Sequence, residues 1–171
     1  MKVIGLILIL LSSTLIGLAA GQDLSERIAA MEQVEQMLQL LRGELRCSYI
    51  PFPQAFCQVA DRVASPWKEF LRDLSVRLER MSGGRMQELW AEAVDGLPEN
   101  CGLAGEDRKE LSALGKELGY LDLTMQLNTL EHFEERWKRR MDNLREELPA
   151  KRRIFRCLGI CAGVAMALIL W

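Results

Sequence analysis

The stretch DLTMQLNTLEHFEERWKRRMDNLREEL, residues 122–148, decides the fold class. Its apolar residues Leu123, Leu127, Leu130, Phe133, Trp137, Met141, Leu144 and Leu148 recur every three or four positions over nearly four heptads, the period of one helix face. The same period fills the chain upstream, and nowhere does the two-residue alternation of a half-buried strand persist. Leu24, Ile28, Met31, Val34, Leu38, Leu41 and Leu45 mark a first helix, and Ala55, Phe56, Val59 and Val63 a short second. Trp67, Phe70, Leu71, Leu74, Leu78 and Met81 mark a third, Met86, Leu89, Trp90 and Val94 a fourth, and Leu111, Leu114 and Leu118 a fifth. With residues 122–148 as the sixth and short connections between most of them, the expected fold is all-α, a six-helix antiparallel bundle.

The breaks have local causes. Pro51 and Pro53 end the first helix, because proline lacks an N–H and keeps the residue before it out of helical geometry. Ser65 reads as an N-cap with Pro66 at the first helical position, and Glu69 lies one place beyond the capping-box position. Gly83-Gly84 ends the third helix, Asp95-Gly96-Leu97-Pro98 the fourth, and Gly119 the fifth. Gly115 and Gly119 also suit the close approach of a neighbouring helix. Asp122 is placed to cap the last helix through its carboxylate, with Gln126 one turn further on the same face. Pro149 interrupts the sixth pattern and predicts a kink or a separation there.

Two uncharged apolar runs bracket this region, Val3 to Gly21 and Cys157 to Trp171. At about 1.5 Å per residue the first reaches roughly 28 Å, enough for a bilayer core of ~30 Å. The second reaches roughly 22 Å and spans if Ile154 and Phe155 join it while Arg156 snorkels to the headgroups. The organisation expected is a transmembrane helix over 3–21, a cytoplasmic helical bundle over 22–153, and a second transmembrane helix over 154–171. Orientation follows from Lys151, Arg152, Arg153 and Arg156 beside the second run, with Lys138, Arg139, Arg140 and Arg145 upstream, because cytoplasmic flanks collect Lys and Arg. The alternative is a signal peptide cut after Ala19, which makes the chain an exported helical binding protein with a C-terminal membrane tail. Within the spans, Gly159 and Gly163 form a GxxxG spacing, and Ser13, Gly17 and Gly21 a small-residue stripe. Such stripes let membrane helices approach closely, with Ser12, Ser13 and Thr14 available to hydrogen-bond, and they are compatible with a homo-oligomer.

All 24 acidic residues lie between Gln22 and Ala150, against 17 Lys plus Arg, a formal charge of −7 that argues against nucleic-acid binding. Five cysteines, Cys47, Cys57, Cys101, Cys157 and Cys161, form no CxxC, and the single histidine, His132, is not at zinc-ligand spacing. Free, mostly buried thiols are expected, and no metal or cofactor. No phosphate-binding loop or dinucleotide fingerprint is present. His132 reads as a solvated surface histidine, and Glu134-Glu135 and Glu146-Glu147 as a solvated face. The chain is expected to work by contact and not by catalysis.

Several stretches resemble the stage III sporulation protein AB family of endospore-forming bacteria. They are Ile9-Leu10-Leu11-Ser12-Ser13-Thr14-Leu15-Ile16-Gly17, the turn Ser48-Tyr49-Ile50-Pro51-Phe52-Pro53-Gln54-Ala55, then Leu114-Gly115-Lys116-Glu117-Leu118-Gly119 with Asp122 and Gln126, and Leu158-Gly159. Phe52 replaces an expected aliphatic residue between the prolines, and Pro149 an expected continuous helix. The resemblance implies a mother-cell protein at the outer forespore membrane, in the assembly that links mother cell and forespore. It further implies a helical domain similar to the cytoplasmic domains of the type II secretion F component, a membrane platform beside a secretion-type ATPase and other channel subunits. On this reading Pro51, Pro53, Gly115, Gly119, Asp122 and Gln126 are structural or interaction residues, none catalytic.

Overall fold

The computed structural model describes the backbone of residues 2–48, 50–80, 86–118 and 122–170, with side chains for 23–47, 50–80, 86–118, 122, 124–147 and 149. Six helices follow in order: α1 (Lys2–Ser48), α2 (Phe52–Ala60), α3 (Trp67–Arg80), α4 (Met86–Asp95), α5 (Gly105–Leu118) and α6 (Leu123–Leu170). A 3₁₀ turn, Glu99–Cys101, lies between α4 and α5, and there is no strand among the described residues. The chain divides into two units, one formed by 29–140 and one by 1–28 with 141–171. No helix among the described residues is long and apolar enough to cross a membrane. The side chains of both apolar runs, and hence the expected spans, lie outside the described residues.

Local chemistry sets the boundaries. Pro51 is the extended N-cap of α2 (φ −68°, ψ 155°), and its carbonyl accepts from the N–H groups of Gln54 and Ala55, both at 3.1 Å. Pro53 occupies the second helical position, where its missing N–H leaves nothing unsatisfied. The helix is shorter than its apolar pattern. Arg62 N–H bonds to Val59 O at 2.9 Å, a tight closing turn, so Val63 falls outside α2 and Ala60 is buried instead.

Ser65 does not cap α3, a correction to the sequence reading. Its Oγ donates to Glu69 Oε2 at 2.8 Å, a charged acceptor one turn on, and that bond holds the Glu69 carboxyl below its ordinary value. The helix begins instead at Trp67, with Phe70 N–H on Pro66 O at 3.1 Å. Gly83-Gly84, Met81 and Gly119 lie outside the described residues. After α4 the N–H groups of Gly96 and Leu97 turn back to Glu92 and Val94. Gly102 then takes φ 83°, a left-handed conformation that disfavours other residues.

Ala104 caps α5 by a reciprocal arrangement: Asp107 N–H bonds to its carbonyl at 3.0 Å, and Asp107 Oδ2 accepts its N–H at 3.1 Å. Asp122 Oδ1 accepts the N–H of Met125 at 2.8 Å and caps α6. Pro149 lies inside α6 as one helix, so it does not separate two helices. A proline removes one i→i−4 hydrogen bond, and the turns on either side carry the helix past it.

Residue pairs fix the directions within 29–140. Met31 meets Trp137 while Arg42 meets Glu131 and Glu134, so α1 and α6 run antiparallel. Ser75 Oγ reaches Pro53 O at 2.8 Å and Arg72 reaches Asp61 at 2.7 Å, which sets α3 antiparallel to α2. Trp90 bonds Leu111 O and Arg108 bonds Leu97 O, which sets α5 antiparallel to α4. The core takes Met31, Val34, Met37, Leu38, Leu41 and Leu45 from α1 and Leu130, Phe133 and Trp137 from α6, together with most of the expected apolar residues of α2 to α5. Leu24, Leu78, Leu127 and Leu144 of the predicted stripes are only half-buried.

Aromatic rings form the centre. Trp67 and Phe70 meet edge to face at 5.9 Å, as do Phe70 and Trp90 at 5.2 Å, and Phe56 lies 6.1 Å from Trp90. Phe52 extends the cluster through Phe56 at 5.4 Å. Each buried indole N–H has an acceptor: Gln33 Oε1 for Trp67, Leu111 O for Trp90 and Met31 O for Trp137. That satisfies the polar edge of each ring without losing its apolar burial.

Candidate functional site

Three helix interfaces carry the polar and close-packed features of the 29–140 unit. At the first, α5 passes directly over Trp90. Gly115 is buried there, and a Cβ at that position would sit 2.6 Å from Cβ, Cγ and Cδ1 of Trp90. The glycine lets the helices approach closely enough for Trp90 Nε1 to reach Leu111 O at 2.7 Å. Trp90 is fully buried, so neither side has slack.

At the second interface α6 grips α5 electrostatically. Arg140 donates through Nε to Asp107 Oδ1 at 3.0 Å, through one Nη to Glu110 at 3.1 Å and through the other to Glu106 at 2.8 Å. Asp107 is fully buried, and its carboxylate both completes the α5 cap and takes this guanidinium. One turn earlier, Arg136 reaches Glu117 at 3.4 Å and lies 5.6 Å from the Phe133 ring centroid. The sequence analysis counted Arg140 only among the cations upstream of the second apolar run; its three carboxylate partners are a finding of the fold. Five guanidinium N–H donors can serve several carboxylates at once, and three stand within reach on the first turns of α5.

The third interface holds a buried acid between α1 and α6. Arg42 pairs with Glu131 at 3.2 Å and with Glu134 Oε2 at 3.1 Å. Glu134 is only 8% exposed, and its Oε1 is buried with no hydrogen-bond partner. Burial pushes its carboxyl up to about 7; Arg42 opposes the shift, and Glu131 and Glu35 add to it. The sequence reading put Glu134 on a solvated face. It lies one place after Phe133 on the widened apolar stripe, so it turns inward while Glu135 stays exposed.

On its outer side α5 lines a cleft of about 480 Å³ with Gly105, Arg108, Lys109, Ser112, Ala113 and Lys116, facing Asp95 at the end of α4. Arg108 is held by Leu97 O at 2.9 Å, by Pro98 O and by Cys101 Sγ at 3.2 Å. Cys47 and Cys57 are free and exposed and Cys101 is free and half-buried, against the expectation of mostly buried thiols. The first two occupy outward positions of α1 and α2. His132 is exposed. Among the described residues no group of His, Cys, Asp and Glu side chains is placed to hold a metal ion.

The geometry is that of a helical scaffold held by interfaces, and the model of one protein family, stage III sporulation protein AB, matches residues 2–171. The chain belongs to the stage III sporulation protein AB family. Membership implies a role in stage III of sporulation, in a family not known as catalytic. No curated protein and no solved structure matches it.

In this family member Pro51 and Pro53 shape the α1–α2 turn, Gly115 sits under Trp90, and Asp122 caps α6 with Gln126 half-buried one turn on. These residues lie at separate interfaces and do not converge on one site. Gly119 is outside the described residues, as are the side chains of Ser12, Ser13, Thr14, Gly17, Lys151, Arg152, Arg153, Arg156, Gly159 and Gly163. Sequence reasoning missed the Arg140 grip and the buried Glu134. Glu106, Asp107 and Glu110 share the first turns of one helix and so foretell an arginine partner, but not which one.

Proposed function

We propose that this protein is a non-catalytic membrane platform that couples a secretion-type ATPase to the other channel subunits of the assembly linking mother cell and forespore. It is anchored at both ends in the outer forespore membrane, with its helical bundle in the mother-cell cytoplasm. One observation carries the reading: α1 and α6, the helices whose sequences continue into the two apolar runs, are bonded to each other inside 29–140 through Trp137 and Met31 and through Arg42 with Glu131 and Glu134. A load on either anchor then reaches one shared interface. The basic residues beside the second run support a cytoplasmic bundle, and the buried, interface-forming character of the polar groups supports a role in contact.

The test uses exposed Cys57 as the sole cysteine and compares it with a cysteine appended after Trp171. The chain is expressed in vegetative cells, where the outer face of the plasma membrane is topologically the far side of the outer forespore membrane. The expected result with a membrane-impermeant thiol reagent is protection of Cys57 in intact cells and labelling in inverted vesicles, with the opposite pattern for the C-terminal cysteine. Labelling of Cys57 from outside intact cells overturns the platform reading.

A further inference from the structure

The charges of α5 are sorted by side. Its four acids, Glu106, Asp107, Glu110 and Glu117, are all bonded to Arg140 or Arg136 of α6. Its three cations, Arg108, Lys109 and Lys116, all line the cleft on the other side. Arg108 is fixed by two backbone carbonyls and a thiol, none of which neutralises it. Lys109 and Lys116 are exposed, and neither has a carboxylate partner among the described residues. They lie seven residues apart, about 10 Å along the axis on the same helix face, with the Ser112 hydroxyl between them. Asp95 is the one acid in the lining.

We infer that this stripe, Lys109, Ser112 and Lys116 beside the fixed Arg108 guanidinium, is a docking site for a short acidic segment of a partner protein. Complementarity selects the occupant. Two carboxylates about 10 Å apart, two turns along a helix or three residues along an extended chain, reach both lysines while the serine hydroxyl donates between them. The −7 charge of residues 22–150 disfavours a long polyanion such as a nucleic acid, whereas a short segment senses only charges within a Debye length of ~8 Å. The four acids of α5 turn to α6, where Arg136 and Arg140 offset two of their four charges, so the repulsion that remains acts from the other side of the helix. This deepens the coupling reading and rests on it for the partner's location: it names the face and the chemistry of the contact.

The experiment is fluorescence anisotropy of the full chain in neutral detergent at an ionic strength of about 0.15 M, where the Debye length is ~8 Å, with a labelled octaglutamate peptide as probe. Saturable binding is expected, weakened about tenfold or more by the double reversal K109E/K116E and by about threefold in K109Q/K116Q. The control K68E/K138E, with the same change in net charge on other helices, stays within about twofold of wild type. Equal loss in the control, no loss in either α5 variant, or no saturable binding overturns the assignment. So does tighter binding of an octathymidine strand or of anionic lipid vesicles that the same reversal abolishes. If Cys57 labels from outside while the peptide result holds, the coupling reading fails and the acidic docking site stands; the reverse combination removes only the site.

Discussion

Replacing Glu134 by glutamine tests the buried acid between α1 and α6. The folded protein holds this carboxyl at about 7 against an ordinary 4.5, so the folded state binds its proton more tightly than the unfolded chain does. Stability from this group is therefore greatest below pH 4.5, falls as pH rises through 7, and levels off above that. At about 1.4 kcal/mol per tenfold change in proton affinity, the ionised form costs the fold up to about 3 kcal/mol at pH 8. Glutamine keeps the shape and removes the charge. The attraction of Arg42, which retains Glu131 at 3.2 Å, is already contained in that cost. The net expectation is a gain of about 2–3 kcal/mol at pH 8, or roughly 4–12 °C in melting temperature, shrinking towards nothing at pH 5. The assay is urea and thermal unfolding of full chain in detergent, read by the fluorescence of the buried Trp67, Trp90 and Trp137. A wild-type-to-variant difference that does not change between pH 5 and pH 8 would refute the reasoning, whatever its sign.

Gly115→Ala forces a methyl against Trp90 and is expected to destabilise by about 1–3 kcal/mol with a shift in tryptophan emission; a neutral result in urea unfolding contradicts the close contact. Arg140→Ala takes the guanidinium from the fully buried Asp107 and is expected to cost about 3–5 kcal/mol, while Arg140→Ala with Asp107→Asn recovers part of that loss; a double-variant loss equal to the sum of the two single losses would show no coupling in a double-mutant cycle. Asp122→Ala removes the α6 cap and lowers stability by about 1 kcal/mol, with Asp122→Asn or Asp122→Ser close to wild type; equal stability of all three in urea titration discards the cap.

The helices were legible because their core residues repeat at helical spacing and their ends carry residues with fixed preferences. Leu130, Phe133 and Trp137 are buried as their period requires, and Asp122 and Pro51 cap as their chemistry allows. What escaped the sequence depends partly on competing local bonds and partly on partners distant along the chain. Ser65 donates its hydroxyl to the charged Glu69 carboxylate one turn on, and the rotamer that makes this strong bond turns the oxygen away from the backbone N–H groups it would accept as a cap. Val63 was lost to a turn that closed α2 early. Periodicity alone does not say that Glu134, at the edge of a stripe, turns inward beneath Arg42, nor that Arg140 lies 33 residues from the Asp107 it holds. The α5 stripe of unpaired lysines was equally hidden, since only the fold shows which charges α6 has already taken.

The antiparallel pairing of α1 and α6 has a mechanical corollary. Residues 29 and 140 are the two ends of one unit, and Met31 and Trp137 are in contact, so the chain enters and leaves that unit side by side. Tension that draws the two ends apart peels the pair open one contact at a time: the indole of Trp137 lets go first, and the Arg42 pair beyond it last. Tension that moves the ends in step loads neither and shifts the unit as a whole. The same joint is thus compliant to splitting and stiff to common motion.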